Sequence, residues 1–296
     1  MRRCLDCGQT FTADGWTCPR CGRAPAERDG LTAFAPELVD GEEGKGGFDA
    51  EAFAGLAALE EGSFWFQARN DLIVWALDKY APRARSFLEV GCGTGFVLAA
   101  VAGARPGMRL VGSELFTAGL RYAVPRVPGA ELLQMDARRI PYEEEFDAIG
   151  AFDVLEHVEA DSEALAESRR ALRPGGVLLM TVPQHPRLWS AADDYAHHVR
   201  RYTRRELVAK LRGAGLQPVR VTSFVTFLLP PMALSRWIER RSRDTYNPMV
   251  EHRRGAAFRR PSAAVMRAEG AIIRRGVSLP AGGSLLAVAI RAAGNR

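Results

Sequence analysis

Apolar and polar positions change rhythm along the chain. From Ser86 onward, short apolar runs alternate with amphipathic stretches, in the succession expected of strands and helices. The pattern predicts strands over Ser86–Val90, Arg109–Leu115, Ala130–Met135, Phe146–Phe152, Gly176–Val182 and Gln217–Phe224. Between them it predicts helices over Phe96–Ala104, Thr117–Val124, Asp161–Arg173 and Thr203–Ala214. Thr203 precedes Glu206 at capping-box spacing, and Gly213 and Gly215 close the same helix. This β–α alternation predicts an α/β chain with a doubly wound, Rossmann-like parallel sheet. Upstream, Phe48–Leu56 reads as a helix, and Leu72, Trp75 and Leu77 fit one buried helical face. The triplet Phe64-Trp65-Phe66 reads by default as core. A last strand-like run, Ser284–Ile290, follows a long interval.

Composition narrows the class. The chain has 296 residues, 47% of them apolar and 25% charged, which suits a large folded domain with an appendage and excludes wholesale disorder. No apolar run reaches the roughly 20 residues of a spanning helix, and Met1-Arg2-Arg3-Cys4 lacks the apolar stretch of a secretion signal, so a cytoplasmic protein is expected. The net charge of +5 hides a polarity. Residues 1–196 carry 20 basic and 30 acidic side chains, and residues 197–296 carry 20 basic and five acidic ones. Such a basic rear can face phosphates, acidic substrates or a membrane surface, or be a solvated arginine-rich surface.

Four of the five cysteines fall in the first 21 residues, as Cys4-Leu5-Asp6-Cys7-Gly8 and Cys18-Pro19-Arg20-Cys21-Gly22. Two C-x-x-C-G turns supply the four thiolates of a tetrahedral zinc site, and each glycine permits a tight knuckle. A piece this small has no core of its own and folds around metal. The alternative, two disulfides, is disfavoured in a reducing compartment. Cys4, Cys7, Cys18 and Cys21 are therefore the expected ligands of a structural Zn²⁺ in a compact zinc ribbon. Four cysteines leave no open position for catalysis. Residues 22–50, rich in glycine and acid, read as a linker.

The loop Gly91-Cys92-Gly93-Thr94-Gly95 joins a predicted strand to a predicted helix, where backbone amides approach a ligand closely. Its spacing is neither a dinucleotide fingerprint nor a P-loop. Glu89, two residues earlier, would oppose phosphate and suit an ammonium group. Here the sequence resembles the class I S-adenosylmethionine (SAM)-dependent methyltransferases, whose first motif matches Glu89-Val90-Gly91-Cys92-Gly93-Thr94-Gly95. The resemblance runs in register through Gly215. It implies a seven-stranded sheet, with Glu114 on the ribose hydroxyls and an acid or amide of Gln134-Met135-Asp136-Ala137 reading the adenine. It also implies that Phe152-Asp153-Val154-Leu155-Glu156-His157-Val158 forms the substrate-facing edge, and that Leu172-Arg173-Pro174-Gly175-Gly176 leads into the fifth strand. A bacterial small-molecule subgroup shares Phe64–Asn70, Val182–His185 and His198–Thr203. The cofactor contacts implied are Glu89, Gly91, Gly93, Gly95, Glu114, Leu115, Asp136, Ala137, Phe152 and Asp153, with Phe64, Trp65 and Arg69 as a wall. The product would be S-adenosylhomocysteine.

Methyl transfer from a sulfonium disperses charge, so alignment of nucleophile, methyl carbon and sulfur is the main requirement. An oxygen or nitrogen acceptor also gains from a general base. His198, His157 and His185 are the candidates, with Tyr202 beside them. Asp153 and Glu156 are candidates to orient an acceptor. Asp193 and Asp194 read as a loop cap or as counter-charge for Arg200, and His252 as surface.

Residues 225–283 stand where the family needs only a turn, too long a stretch for a simple loop. They open with an apolar run broken by Pro230 and Pro231 and continue with arginine pairs at 240–241, 253–254, 259–260 and 274–275. A helical cap over the substrate is expected. Peripheral membrane contact and a homodimer interface are alternatives. The expected domains are a zinc ribbon (1–30), linker and N-terminal helices (31–85), SAM-binding core (86–224), helical cap (225–283), and last strand with tail (284–296). The expected function is SAM-dependent methylation of an O, N or C atom of a small molecule: a specialised metabolite, glycan or lipid-linked compound. The alternatives are an RNA methyltransferase gripping nucleic acid with ribbon and basic rear, and a non-catalytic SAM-binding scaffold.

Overall fold

The computed structural model describes residues 1–40, 50–239 and 256–293. The glycines at 41–47, His252 and the arginine pairs at 240–241 and 253–254 lie outside the described residues. The chain starts with β1 (Arg2–Arg3), β2 (Thr10–Phe11), β3 (Ala26–Arg28), β4 (Leu31–Ala33), α1 (Glu37–Asp40), α2 (Ala50–Glu60) and α3 (Phe64–Tyr80). The alternating part follows as β5 (Ser86–Val90), α4 (Phe96–Ala104), β6 (Arg109–Glu114), α5 (Thr117–Arg126), β7 (Glu131–Gln134), β8 (Phe146–Phe152), α6 (Asp161–Ala171) and β9 (Leu172–Pro183). It ends with α7 (Ala191–Tyr195), α8 (Arg204–Gly213), β10 (Leu216–Phe224), α9 (Leu229–Glu239), α10 (Ala256–Arg274) and β11 (Ser284–Arg291).

One sheet runs in the order β10–β11–β9–β8–β5–β6–β7–β4–β3. The strands from β9 to β4 are parallel, β11 is antiparallel to both its neighbours, and β3 is antiparallel to β4. Two strands exceed the expected seven, because the stretch read as linker contains a hairpin. Asp29 and Gly30 turn it with φ of 53° and 75°, and Thr32 then pairs with Leu133 on the β7 edge.

Strands covered on both faces read as continuous apolar runs, and successive side chains feed opposite layers. Leu88, Leu178 and Leu285 enter the layer under α6 and α8, whereas Phe87, Leu179 and Leu286 enter the layer under α3, α4 and α10. Each such fully buried side chain contributes about 1.5–3 kcal/mol.

The described residues of the insertion form two helices with different surroundings. Met266 and Ile273 of α10 share a cluster with Leu72, Ile73 and Leu77 of α3, so this helix belongs to the core layer. Glu269, 1% exposed, accepts the amides of Thr226 at 2.7 Å and Phe227 at 2.9 Å and so pins the start of the insertion. The other described helix, α9, brings Pro231 and Met232 to the hollow lined by the loops that follow β5 and β8.

The N-terminal knuckles dock on the segment leading into β8. Arg3 donates its amide to Pro141 at 2.9 Å, and Trp16 packs edge-on against Phe34 and Tyr142, with ring centroids 4.6 and 5.3 Å away. No helix among the described residues is long and apolar enough to cross a membrane.

Candidate active site

The chain leaves β5 for β6 and returns later to β8 on the other side. That reversal opens a crevice at the carboxyl ends of the strands, the usual ligand position in such sheets. Here it holds a cavity of about 790 Å³. The glycine loop forms its floor. Gly95, with φ of 78°, caps α4, and a Cβ there would meet Ala123 at 2.9 Å. Gly93, with φ of 53°, faces open space, its nearest neighbour being Phe53 at 3.9 Å.

Three carboxylates surround this floor. Glu114 accepts the amides of Leu115 at 2.8 Å, Gly93 at 3.0 Å and Phe116 at 3.2 Å. Burial raises its pKa, and these donors oppose the rise. Glu89 is 2% exposed, burial holds its carboxyl well above the usual range against the pull of Arg69, and Oε2 has no partner. An orphaned oxygen at this depth fits a missing cationic donor. Asp136 is gripped by Arg138 through contacts of 2.6, 2.9 and 3.0 Å. Its neighbour Gln134 exchanges hydrogen bonds of 3.0 and 2.9 Å with the backbone of Ala35, so Asp136 is the polar group of its segment that reaches the cavity.

The N-terminal helices supply a wall. Phe53 of α2 packs on the glycine loop, and Glu60 joins Thr94 Oγ1 at 2.6 Å to Arg126 at 2.6 Å. From α3, Arg69 pairs with Asp153 and lies over the rings of Trp65 and Phe66, 4.9 and 5.2 Å from their centroids. Asp153 holds a φ of 56° at the end of β8.

The opposite end of the cavity is a histidine corner. Glu156 and His157 come from the turn after β8, and His198 and Arg201 from the segment after α7. Asp193 is fully buried and organises that segment. It accepts from Ser190 N at 2.8 Å, His198 Nδ1 at 2.8 Å and Arg201 Nε at 2.7 Å. Burial would raise its carboxyl, but these donors hold it well below the usual range. His157 stands edge-on to His198 at 4.8 Å, and burial, then the charge of His198, pulls its pKa down to about 3. Glu156 is 1% exposed, burial and then Asp153 push its carboxyl well up, and both oxygens lack partners. Leu228, Pro231, Met232 and Arg236 close the cavity from the insertion.

The structure brings together on this cavity Phe64, Trp65 and Arg69, then Glu89, Gly91, Gly93, Glu114 and Leu115, and also Asp136, Ala137, Phe152 and Asp153, together with His157 and His198. Gly95 lies behind it as a helix cap. Two catalytic candidates are elsewhere. Tyr202 is fully buried, with its hydroxyl donating to Asp161 at 2.7 Å and Leu155 O at 3.1 Å, so it is a core tie. His185, at φ of 62°, opens onto a separate hollow with Pro186, Thr203 and Leu229. Arg200 pairs with Asp161 rather than Asp193. Phe53, Glu60 and Arg201 were not singled out from sequence. Phe53 and Glu60 reach the site from positions whose neighbours carry no motif, whereas Arg201 lies within the His198–Thr203 segment beside the candidates His198 and Tyr202.

Away from the cavity, the Sγ atoms of Cys4, Cys7, Cys18 and Cys21 lie within 4.8 Å of one another, with Cys4–Cys21 and Cys7–Cys18 at 3.6 Å. These sulfurs are unbonded, and a tetrahedral zinc site with Zn–S of about 2.3 Å spaces its sulfurs by about 3.8 Å. The four residues fit that ion.

Known proteins agree with this geometry. Residues 88–180 match a family described as a methyltransferase domain. A trans-aconitate 2-methyltransferase of Azoarcus is 30% identical over 60% of this chain and 69% of its own length. A Mycolicibacterium smegmatis protein named probable S-adenosylmethionine-dependent methyltransferase is 26% identical over 55% of this chain, which spans 63% of that relative's length. Among solved structures, an O-methyltransferase family protein from Burkholderia thailandensis shares the fold with a TM-score of 0.54 at 15% identity, covering 83% of this chain and 61% of the other. The glycine loop between Glu89 and Glu114, the sheet order around it and the Azoarcus relative converge: the chain belongs to the SAM-dependent methyltransferases.

Proposed function

We propose that this chain methylates a hydroxyl oxygen of a small acceptor with an apolar body. The observation that carries the reading is the continuity of one cavity, with the glycine loop and Glu114 at one end and the Asp193-held His198 at the other. SAM supplies an electrophilic methyl group on a sulfonium. Glu114 would hold the ribose hydroxyls, and Asp136 with Ala137 the adenine. Gly91, Gly93 and Glu89 would face the amino-acid end, where the orphaned Glu89 oxygen has a partner in an ammonium group. Phe64, Trp65, Phe152 and the Arg69–Asp153 pair would wall the sulfonium. His198 is assigned to acceptor activation, because Asp193 fixes its Nδ1 and leaves the other ring nitrogen for the cavity. Met232, Pro231 and Leu228 suit an apolar acceptor body. Calorimetry with SAM and S-adenosylhomocysteine tests the reading: both are expected to bind at one site per chain, and binding of neither would sink it.

We assign a structural Zn²⁺ to Cys4, Cys7, Cys18 and Cys21. Since no residue of the ribbon lines the cavity, the ion would hold the knuckles against the β8 approach and take no part in methyl transfer.

A further inference from the structure

The free ring nitrogen of His198 can activate an acceptor as a metal ligand in place of acting as a base. Glu156, His157 and His198 each place a ligand atom within 4.8 Å of the other two. Donors around an ion bound at about 2.1 Å stand about 3–4 Å apart, so small side-chain adjustments close the three on one ion. Both Glu156 oxygens are buried without a partner, and an ionised carboxylate in that state is costly unless a cation meets it. Both imidazoles are also held from behind. Asp193 accepts from His198 Nδ1 at 2.8 Å, and His157 is hydrogen-bonded to the backbone of His197 and Ala196. Metal-bound histidines are oriented in this way, one nitrogen on a carboxylate or carbonyl and the other on the ion. Asp153 is already paired with Arg69 and is not needed as a ligand.

Resting on the methyltransferase reading and extending it, we infer that Glu156, His157 and His198 bind one divalent first-row transition-metal ion whose open positions take the acceptor hydroxyl. Two imidazoles and one carboxylate suit Zn²⁺, Mn²⁺ or Fe²⁺ better than Mg²⁺, which favours oxygen and water. Three protein ligands leave room for an acceptor oxygen. Coordination lowers the pKa of a bound hydroxyl as it does that of bound water. The hydroxyl proton leaves to solvent, the new O–CH₃ bond forms as the S–CH₃ bond breaks, and a neutral thioether departs. A second oxygen next to the first would chelate the same ion, so vicinal diols and catechol-like phenols are the acceptor class favoured.

Mn²⁺ is the probe, since it prefers nitrogen and oxygen donors and leaves the four-thiolate cluster to zinc. The full chain, with its cysteine site zinc-loaded, is titrated with Mn²⁺ and free ion is read by electron paramagnetic resonance. One Mn²⁺ per chain is expected. Glu156→Gln and His198→Ala should each weaken it at least tenfold, and Asp193→Asn about 10–100-fold through the histidine it orients. SAM binding is measured on the same samples by calorimetry. Wild type that binds SAM and no Mn²⁺ overturns the metal site and leaves the methyltransferase reading standing. Wild type that binds Mn²⁺ and no SAM does the reverse. Mn²⁺ affinity unchanged in both Glu156→Gln and His198→Ala also overturns the site, with retained SAM binding as the check on their folding.

Discussion

Gly93 sits under two constraints: a backbone at φ of 53° and a Cα facing the cavity. An L-residue in that conformation costs about 1–2 kcal/mol, and a long side chain would occupy the floor. Gly93→Arg is expected to abolish SAM binding in calorimetry while the chain stays folded by circular dichroism; wild-type affinity would remove the loop from the cofactor site. Asp161 is the residue for a pH test. Burial would raise its carboxyl, but hydrogen bonds from Lys210 and Tyr202 and the charge of Arg200 hold it below the ordinary value. Its contribution is therefore fully present above about pH 4 and is lost as pH falls through the lowered native value. Asp161→Asn should cost about 1.5–3 kcal/mol at pH 7, and urea titrations should show the gap from wild type narrowing only as pH falls below about 4. Glu114 and the glycines were legible in the sequence because strand, loop and acid lie at fixed local spacing. Asp193 was visible only as a loop cap or as counter-charge for Arg200. Its burial, with His198 and Arg201 on one oxygen, depends on how α7 meets the following segment, and no periodicity encodes that.

At the level of elements, the insertion is where sequence and structure part most. Its apolar opening and its arginines suggested one cap, yet its two described helices do different work. The Ile273 side chain is wholly buried against α3, whereas Leu234 of α9 is 57% exposed. Ile273→Ala should therefore cost about 2–5 kcal/mol in denaturant titrations, and Leu234→Ala should stay within about 0.5 kcal/mol. Equal effects would mean that α10 is no part of the core. The hairpin β3–β4 was missed for a different reason. Its strands are three residues long with mixed polarity, too short for alternation to register, and edge pairing with β7 makes them strands.

At the scale of the molecule, part of the charge polarity of the sequence becomes internal pairing among the described residues. Arg200 meets Asp161, Arg201 meets Asp193, and Arg291 meets Glu144, while Arg220 is spent on the carbonyls of Gly276 and Val277. Part of the basic rear thus closes on the body of the chain, and fewer basic side chains are left to face phosphate than the count of 20 implies. The ribbon is coupled to the same body through Trp16. Its two ring contacts are worth about 1–3 kcal/mol together, so Trp16→Ala should lower the melting temperature measurably and leave SAM affinity within about twofold. Cys18→Ser should release zinc, read by elemental analysis, with the same separation of stability from cofactor binding. Loss of SAM binding in either variant would tie the ribbon to the site.

The carboxylate of Glu60, clasped to Thr94 and Arg126, gives the catalytic cycle a kinetic signature. Phe53, Leu56 and Glu60 of α2 line the cavity, so if α2 has to lift for a ligand as large as the spent cofactor to leave, each turnover would wait on the rupture of this partly buried ion pair. Exchange should then quicken with ionic strength, in the direction opposite to that of an encounter steered by charge.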